Sequence, residues 1–274
     1  MTDFALPASA ERIDSGAARL LAAIEQTDNG AIGHLRFNLP EKHNVVDLEG
    51  WQAIPKIIEK LATHDNMRLI VLRGIGGKAF VAGADIAQFE EVLTGPDGTD
   101  FDKATISAFD AIAACPVPTL AAIEGYCIGG GLGIATACDL RISRADGKFG
   151  IPAGRLGLAY PANATRQLSA AIGPSQAKRI LFTAHPVNAE VALSIGLVHE
   201  VAATEEFDAM LDKWVHRISN NAPMSLQTSK FILDNPEAPT AEVKKRLADC
   251  LASADYTEGR TAFMQKRSPV FTGK

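Results

Sequence analysis

The chain has 274 residues, enough to bury a full hydrophobic core without disulfide or metal staples. Its 27 Lys and Arg stand against 32 Asp and Glu, a formal charge of −5, which excludes the basic footprint of a nucleic-acid-binding domain. The four cysteines have neither C-x-x-C spacing nor a His pair to complete a zinc set, so they read as buried free thiols and no metal site is expected. No basic start leads into an apolar signal segment, and no run approaches the roughly 20 apolar residues of a membrane helix. A cytoplasmic chain without a membrane anchor is therefore expected.

Residues 1–16 read as an N-terminal tail. Arg19 to Gln26 and Ala31 to Leu39 are apolar-rich runs separated by Thr27-Asp28-Asn29-Gly30, a composition that tolerates positive φ at Asn or Gly and predicts a β-hairpin. Trp51, Ile54, Ile58 and Leu61 recur at helical spacing, and Pro55 is expected to start or kink that helix. Leu69-Ile70-Val71-Leu72 is a continuous apolar run, as in a strand covered on both faces, and Thr119-Leu120-Ala121-Ala122-Ile123 repeats the signal. Between them, Gly95-Pro96-Asp97-Gly98-Thr99 reads as a mobile loop. A glycine-rich turn, then Leu132 to Cys138, then Asp139 to Ser143, suit loop, helix and strand. Strands alternating with helices predict an α/β core with βα crossovers over residues 17–203.

From residue 204 the pattern changes. Phe207, Met210, Leu211, Trp214, Val215 and Ile218 follow a period near 3.6, and Leu226 to Leu233 and Val243 to Leu251 continue it. Residues 204–274 are thus expected to be amphipathic helices that bury their apolar stripes on their own core or on a neighbouring copy, with the own core favoured.

Two glycine-bearing segments each follow a predicted strand: Lys78-Ala79-Phe80-Val81-Ala82-Gly83-Ala84-Asp85-Ile86 and Glu124-Gly125-Tyr126-Cys127-Ile128-Gly129-Gly130-Gly131-Leu132-Gly133. Neither has the spacing of a dinucleotide fingerprint, a P-loop or a nucleophile elbow. A triple-glycine turn entering a helix instead supplies backbone N–H groups at the positive end of the helix dipole, a place suited to an anionic oxygen. The competing reading is that the glycines only let backbone and helix pack closely.

Taken together and in this order, these segments make the chain resemble the enoyl-CoA hydratase/isomerase family, also called the crotonase superfamily. Asn38-Leu39-Pro40-Glu41-Lys42-His43-Asn44-Val45-Val46, Gly196-Leu197-Val198 and Glu258-Gly259-Arg260-Thr261-Ala262-Phe263-Met264-Gln265-Lys266-Arg267 extend the likeness over nearly the whole chain. The resemblance implies a crotonase-like spiral of ββα units with a C-terminal helical trimerisation region, assembled as a homotrimer or a dimer of trimers. It implies an acyl-CoA thioester as substrate, with no permanently bound cofactor. By position, the backbone N–H groups of Ala84 and Gly130 would form an oxyanion hole around the thioester carbonyl. Coenzyme A contacts would come from Lys42, His43 and Val45, from the turn Ala82, Gly83, Ala84, Asp85 and Ile86, and from Phe263 and Lys266. Of these, Lys266 matches a phosphate partner.

The family's hydratases use two glutamates, one taking a proton while the other gives one. Those positions here are Gly133 and Ala153, neither of which can transfer a proton. Tyr160 falls where methylmalonyl-CoA decarboxylase-like members carry an active-site Tyr, although that branch has His at the Ala84 position. Decarboxylation leaves its electron pair directly on the enolate and needs no carboxylate base, so Tyr160 is a candidate catalytic residue of such a lyase. Arg155, Glu124 and the Glu90-Glu91 pair are further side chains able to handle a proton or a carboxylate. Loss of both glutamates also fits a non-catalytic acyl-CoA-binding subunit. Asp85 and Asp139 read as caps or strand-end structural residues.

Overall fold

The computed structural model describes residues 6–85 and 98–274. Strands β1 (Glu11–Ile13), β2 (Leu20–Thr27) and β3 (Gly30–Phe37) pair antiparallel in succession. Gly30, at φ 116°, takes the positive φ that the hairpin turn requires. The stretch read as a loose tail therefore adds an edge strand to the sheet.

Helix α1 (Leu48–Ala62) starts where the Asp47 carboxylate accepts the Gly50 amide at 2.9 Å. Of the start or kink expected at Pro55, the start is corrected by this cap. The helix runs on through the proline because Trp51, Ile54, Ile57, Ile58 and Leu61 bury one continuous face, which outweighs the roughly 3 kcal/mol cost of an interior proline.

After α1 one unit recurs. Strands β4 (Met67–Gly74) and β5 (Ala79–Val81) precede α2 (Gly98–Ala113). Strands β6 (Thr119–Ile123) and β7 (Tyr126–Ile128) precede α3 (Gly130–Ala137). Strands β8 (Leu140–Arg144) and β9 (Lys148–Gly150) precede α4 (Ala162–Thr183). Strand β10 (Val187–Asn188), helix α5 (Ala189–Ser194) and strand β11 (Glu200–Ala202) close this part.

The first strand of each unit enters a sheet of order β1-β2-β3-β4-β6-β8-β11, and the second enters a smaller sheet of order β10-β9-β7-β5. Strands β4, β6, β8 and β11 run parallel, as do β5, β7 and β9. Parallel strands are covered on both faces, which is why their sequences are continuous apolar runs rather than alternating ones. This is the spiral of ββα units. Because β5 and β7 are neighbours, the turns that leave their C-terminal ends emerge side by side, where ligands of parallel sheets commonly bind.

Gly98 and Thr99, read as part of a loop, open α2; Gly95, Pro96 and Asp97 lie outside the described residues, as do Ile86, Glu90 and Glu91. Helices α6 (Phe207–Ser219), α7 (Pro223–Asp234), α8 (Thr240–Ala252) and α9 (Ala254–Gln265) form the C-terminal region. Helix α6 lays Phe207, Met210 and Leu211 on Ile32, Leu69, Val71, Leu120 and Ile142 of the large sheet. Self-packing thus holds for α6, whereas Leu233, Leu251, Phe263 and Met264 on the later helices stay exposed. Lys230 of α7 donates to both Asp139 oxygens at 2.6 and 2.7 Å, and Asp139 also accepts from the Thr119 amide, so its role is structural as expected. Cys115, Cys127 and Cys138 are buried free thiols, but Cys250 is only partly buried, because α8 has one side in solvent.

Candidate active site

The turn after β5 is stitched to residues 43–46 by three backbone bonds. The Ala82 amide donates to His43 at 3.0 Å, the Val46 amide to Gly83 at 3.0 Å, and the Asp85 amide to Val46 at 3.1 Å. Val46 and Ala84 are thereby bridged in parallel, a pattern that uses the groups of residues 83 and 85 and turns the N–H of Ala84 to the opposite side.

On that side stands the turn after β7. A Cβ built on Gly83 would lie 4.0 Å from the Gly130 nitrogen, and one built on Gly130 would lie 4.0 Å from the Ala84 nitrogen. Gly129, at φ 57° and ψ −118°, bends the chain into α3, and Gly130 is the first residue of that helix, so its N–H has no intrahelical acceptor. Among the described residues neither the Ala84 nor the Gly130 amide donates a hydrogen bond, and both residues are partly exposed. At Gly131 a Cβ would collide with the Val81 carbonyl, so glycine is what lets α3 begin against β5. Two free amides, one at a helix N-terminus, can stabilise negative charge on one oxygen.

Trp51 and Phe109, both fully buried, pack edge to face with ring centroids 5.6 Å apart beneath this turn. A Cβ on Gly130 would sit 2.8 Å from Trp51 Cζ2. At Gly133, the first position where a hydratase carboxylate is expected, a Cβ would collide with the Phe109 ring and lie 2.8 Å from Tyr160 Oη. A side chain there would require Phe109 and Tyr160 to shift. Ala153, the second such position, opens a short 3₁₀ turn after β9 and carries no acid. Tyr160 donates its hydroxyl to the Gly129 carbonyl at 3.0 Å, and burial pushes its pKa up, so the phenol stays protonated.

The residues expected to contact coenzyme A divide into two groups. Lys42, His43 and Val45 lie on the segment paired with Ala82, Gly83, Ala84 and Asp85. Buried Asn44 fixes that segment: its Oδ1 accepts the Leu39 amide, and its Nδ2 donates to Ile75 and Ala79 at 2.9 and 2.8 Å. Lys42, half exposed, reaches to 3.7 Å from Asp85, which is itself held by Arg19 at 2.8 Å. Asp85 is thus a structural anchor. Phe263 and Lys266 stand exposed at the end of α9, and among the described residues no hydrogen bond links them to either turn. Phe263 instead lines a cleft of about 520 Å³ together with Tyr256 and Phe271.

Glu124 is taken up by two ion pairs. It is buried between Arg73 Nε at 2.7 Å and Arg144 Nη1 at 2.9 Å. Arg155 is exposed, with no ion pair among the described residues. Trp51, Phe109 and Asn44 shape the site, although Trp51 read only as a helix residue, Asn44 only as part of the 38–46 stretch, and Phe109 gave no signal. Aromatic residues at helical spacing look the same whether they floor a cleft or fill a core.

The sequence matches the enoyl-CoA hydratase/isomerase family model over residues 27–274. A crotonyl-CoA hydratase from Syntrophomonas wolfei is 32% identical over 247 residues, which are 88% of this chain and 94% of the relative. A mitochondrial Delta(3,5)-Delta(2,4)-dienoyl-CoA isomerase from Dictyostelium discoideum is 27% identical over 90% of each chain. Among solved structures, an enoyl-CoA hydratase/isomerase family protein from Hyphomonas neptunium superposes with a TM-score of 0.87 at 32% identity, covering 95% of this chain and 100% of that one.

Proposed function

This chain belongs to the enoyl-CoA hydratase/isomerase family, and from that premise we propose that the Ala84 and Gly130 amides of this acyl-CoA-processing enzyme receive a thioester oxygen as it becomes an enolate. The observation that carries the reading is the pair of adjacent amides that spend no hydrogen bond elsewhere among the described residues. Fixed donors aimed at a developing charge need no reorganisation, and removing one typically costs about 10²–10³ in rate. Coenzyme A enters as part of the substrate and lies along Lys42, His43, Val45 and the turn of Ala82, Gly83, Ala84 and Asp85. Phe263 and Lys266 reach the coenzyme A of a neighbouring copy in a homotrimer or a dimer of trimers.

The closed space at Gly133 favours a second reading of the chemistry. With no carboxylate there or at Ala153, the enolate arises by breaking a C–C bond rather than by proton abstraction, as when a methylmalonyl-CoA-like substrate loses CO₂ and the bonding electron pair passes to the thioester oxygen.

Calorimetry with acetyl-CoA and turnover of crotonyl-CoA and methylmalonyl-CoA test both readings. Acetyl-CoA is expected to bind, and CO₂ release is expected to exceed hydration of crotonyl-CoA. Fast hydration would remove the lyase reading. Binding without turnover across a broad acyl-CoA panel would make the chain a non-catalytic acyl-CoA-binding subunit, and absence of binding would contradict the proposal altogether.

A further inference from the structure

The Tyr160 hydroxyl donates 3.0 Å to the Gly129 carbonyl, and that carbonyl belongs to the same peptide group as the Gly130 N–H. The oxygen also accepts the Gly133 amide at 3.1 Å. Two donors on one carbonyl draw electron density through the conjugated C–N bond and leave the N–H at the other end a stronger donor. They also fix the plane of a peptide flanked by glycines, which would otherwise turn easily.

We propose that Tyr160 is a positioning residue: it orients and polarises the Gly129–Gly130 peptide so that the Gly130 N–H meets the thioester oxygen, and its own proton is not passed to the substrate. The inference rests on the oxyanion-hole reading given above. It also accounts for Gly133, because a Cβ there would lie 2.8 Å from the hydroxyl. A glutamate at that position would have to displace the phenol that reaches Gly129. Burial keeps the phenol protonated, which suits a permanent donor and not a group that exchanges protons.

The test is infrared difference spectroscopy of acetyl-CoA, ¹³C-labelled at the thioester carbonyl, bound to the purified protein. The wild-type protein is expected to lower the carbonyl stretch relative to free ligand. Tyr160→Phe keeps the ring and loses the donor, so with ligand bound the shift is expected to shrink by about 10–30%, the size of cooperative strengthening per bond. Incorporation of 3-fluorotyrosine at position 160, a more acidic phenol, is expected to enlarge the shift, and this variant decides the matter if Tyr160→Phe does not fold. An unchanged shift in either bound variant overturns the role of Tyr160 and leaves the hole intact. No shift in the wild-type protein, or no binding, overturns the hole itself and the inference with it.

Discussion

A methyl group at position 131 meets the Val81 carbonyl, so Gly131→Ala forces α3 away from β5. Overpacking of this kind costs about 1–3 kcal/mol, and because it displaces the Gly130 amide it is expected to lower turnover as well as the denaturant midpoint. Unaltered unfolding of this variant would mean that the turn is more compliant than its contacts imply. Gly133→Glu restores the expected hydratase carboxylate in sequence but not in space, since Phe109 and Tyr160 occupy its path. A lower melting temperature and no gain in crotonyl-CoA hydration are expected; a gain would show that the two aromatic residues yield. The glycines were legible in the sequence because a donor site built from backbone demands small residues. The acceptor of Tyr160 was not, because a loop tyrosine finds its partner through tertiary contacts that no local pattern encodes.

The hairpin of β2 and β3 carries its own pH dependence. His34 Nε2 lies 3.0 Å from Glu25, and its Nδ1 lies 2.9 Å from an Arg36 guanidinium nitrogen. Arginine only donates, so Nδ1 must accept and the ring must be neutral, with its Nε2–H donating to the Glu25 carboxylate. Burial lowers the pKa of His34 below its usual 6.5, and the bond from His34 lowers that of Glu25. On acidification the unfolded chain therefore takes up the histidine proton before the folded one does, and stability falls as the pH drops below about 6.5. Glu25 adds a further loss below its usual 4.5. Thermal unfolding followed between about pH 7 and 5 should show this decline, and His34→Gln should flatten it; a wild-type profile without slope would contradict the assignment. Apolar runs sufficed to place both strands of this hairpin. Buried His34 and Arg36, with half-buried Glu25, escaped because both faces of β3 are covered, so no alternation marks a wet side. Pro55 misled on the helix start because its local cost and the apolar face of Trp51, Ile54, Ile58 and Leu61 are both visible in sequence, whereas the depth of burial that lets the face prevail is not.

At the scale of the molecule, the ββα repeat was implied by resemblance but could not be read from periodicity alone. Strands β5, β7 and β9 have three residues each, too few to show a pattern, and they pair with one another across successive units. The same nonlocal pairing brings Ala84 and Gly130 together across some 46 positions of chain. Helices α7 to α9 leave Leu233, Phe263 and Met264 79%, 83% and 80% exposed, and the resemblance implies that this region meets neighbouring copies. Light scattering is expected to report three or six copies of the chain, and the double substitution Leu251→Glu with Phe263→Glu is expected to yield smaller species. A wild-type monomer at micromolar concentration would contradict the assembly and remove the role given to Phe263 and Lys266. The central claim is tested most directly by a crystal structure of the acetyl-CoA complex. It should place the thioester oxygen about 2.7–3.2 Å from both the Ala84 and Gly130 nitrogens; a carbonyl turned away from either amide would contradict the account.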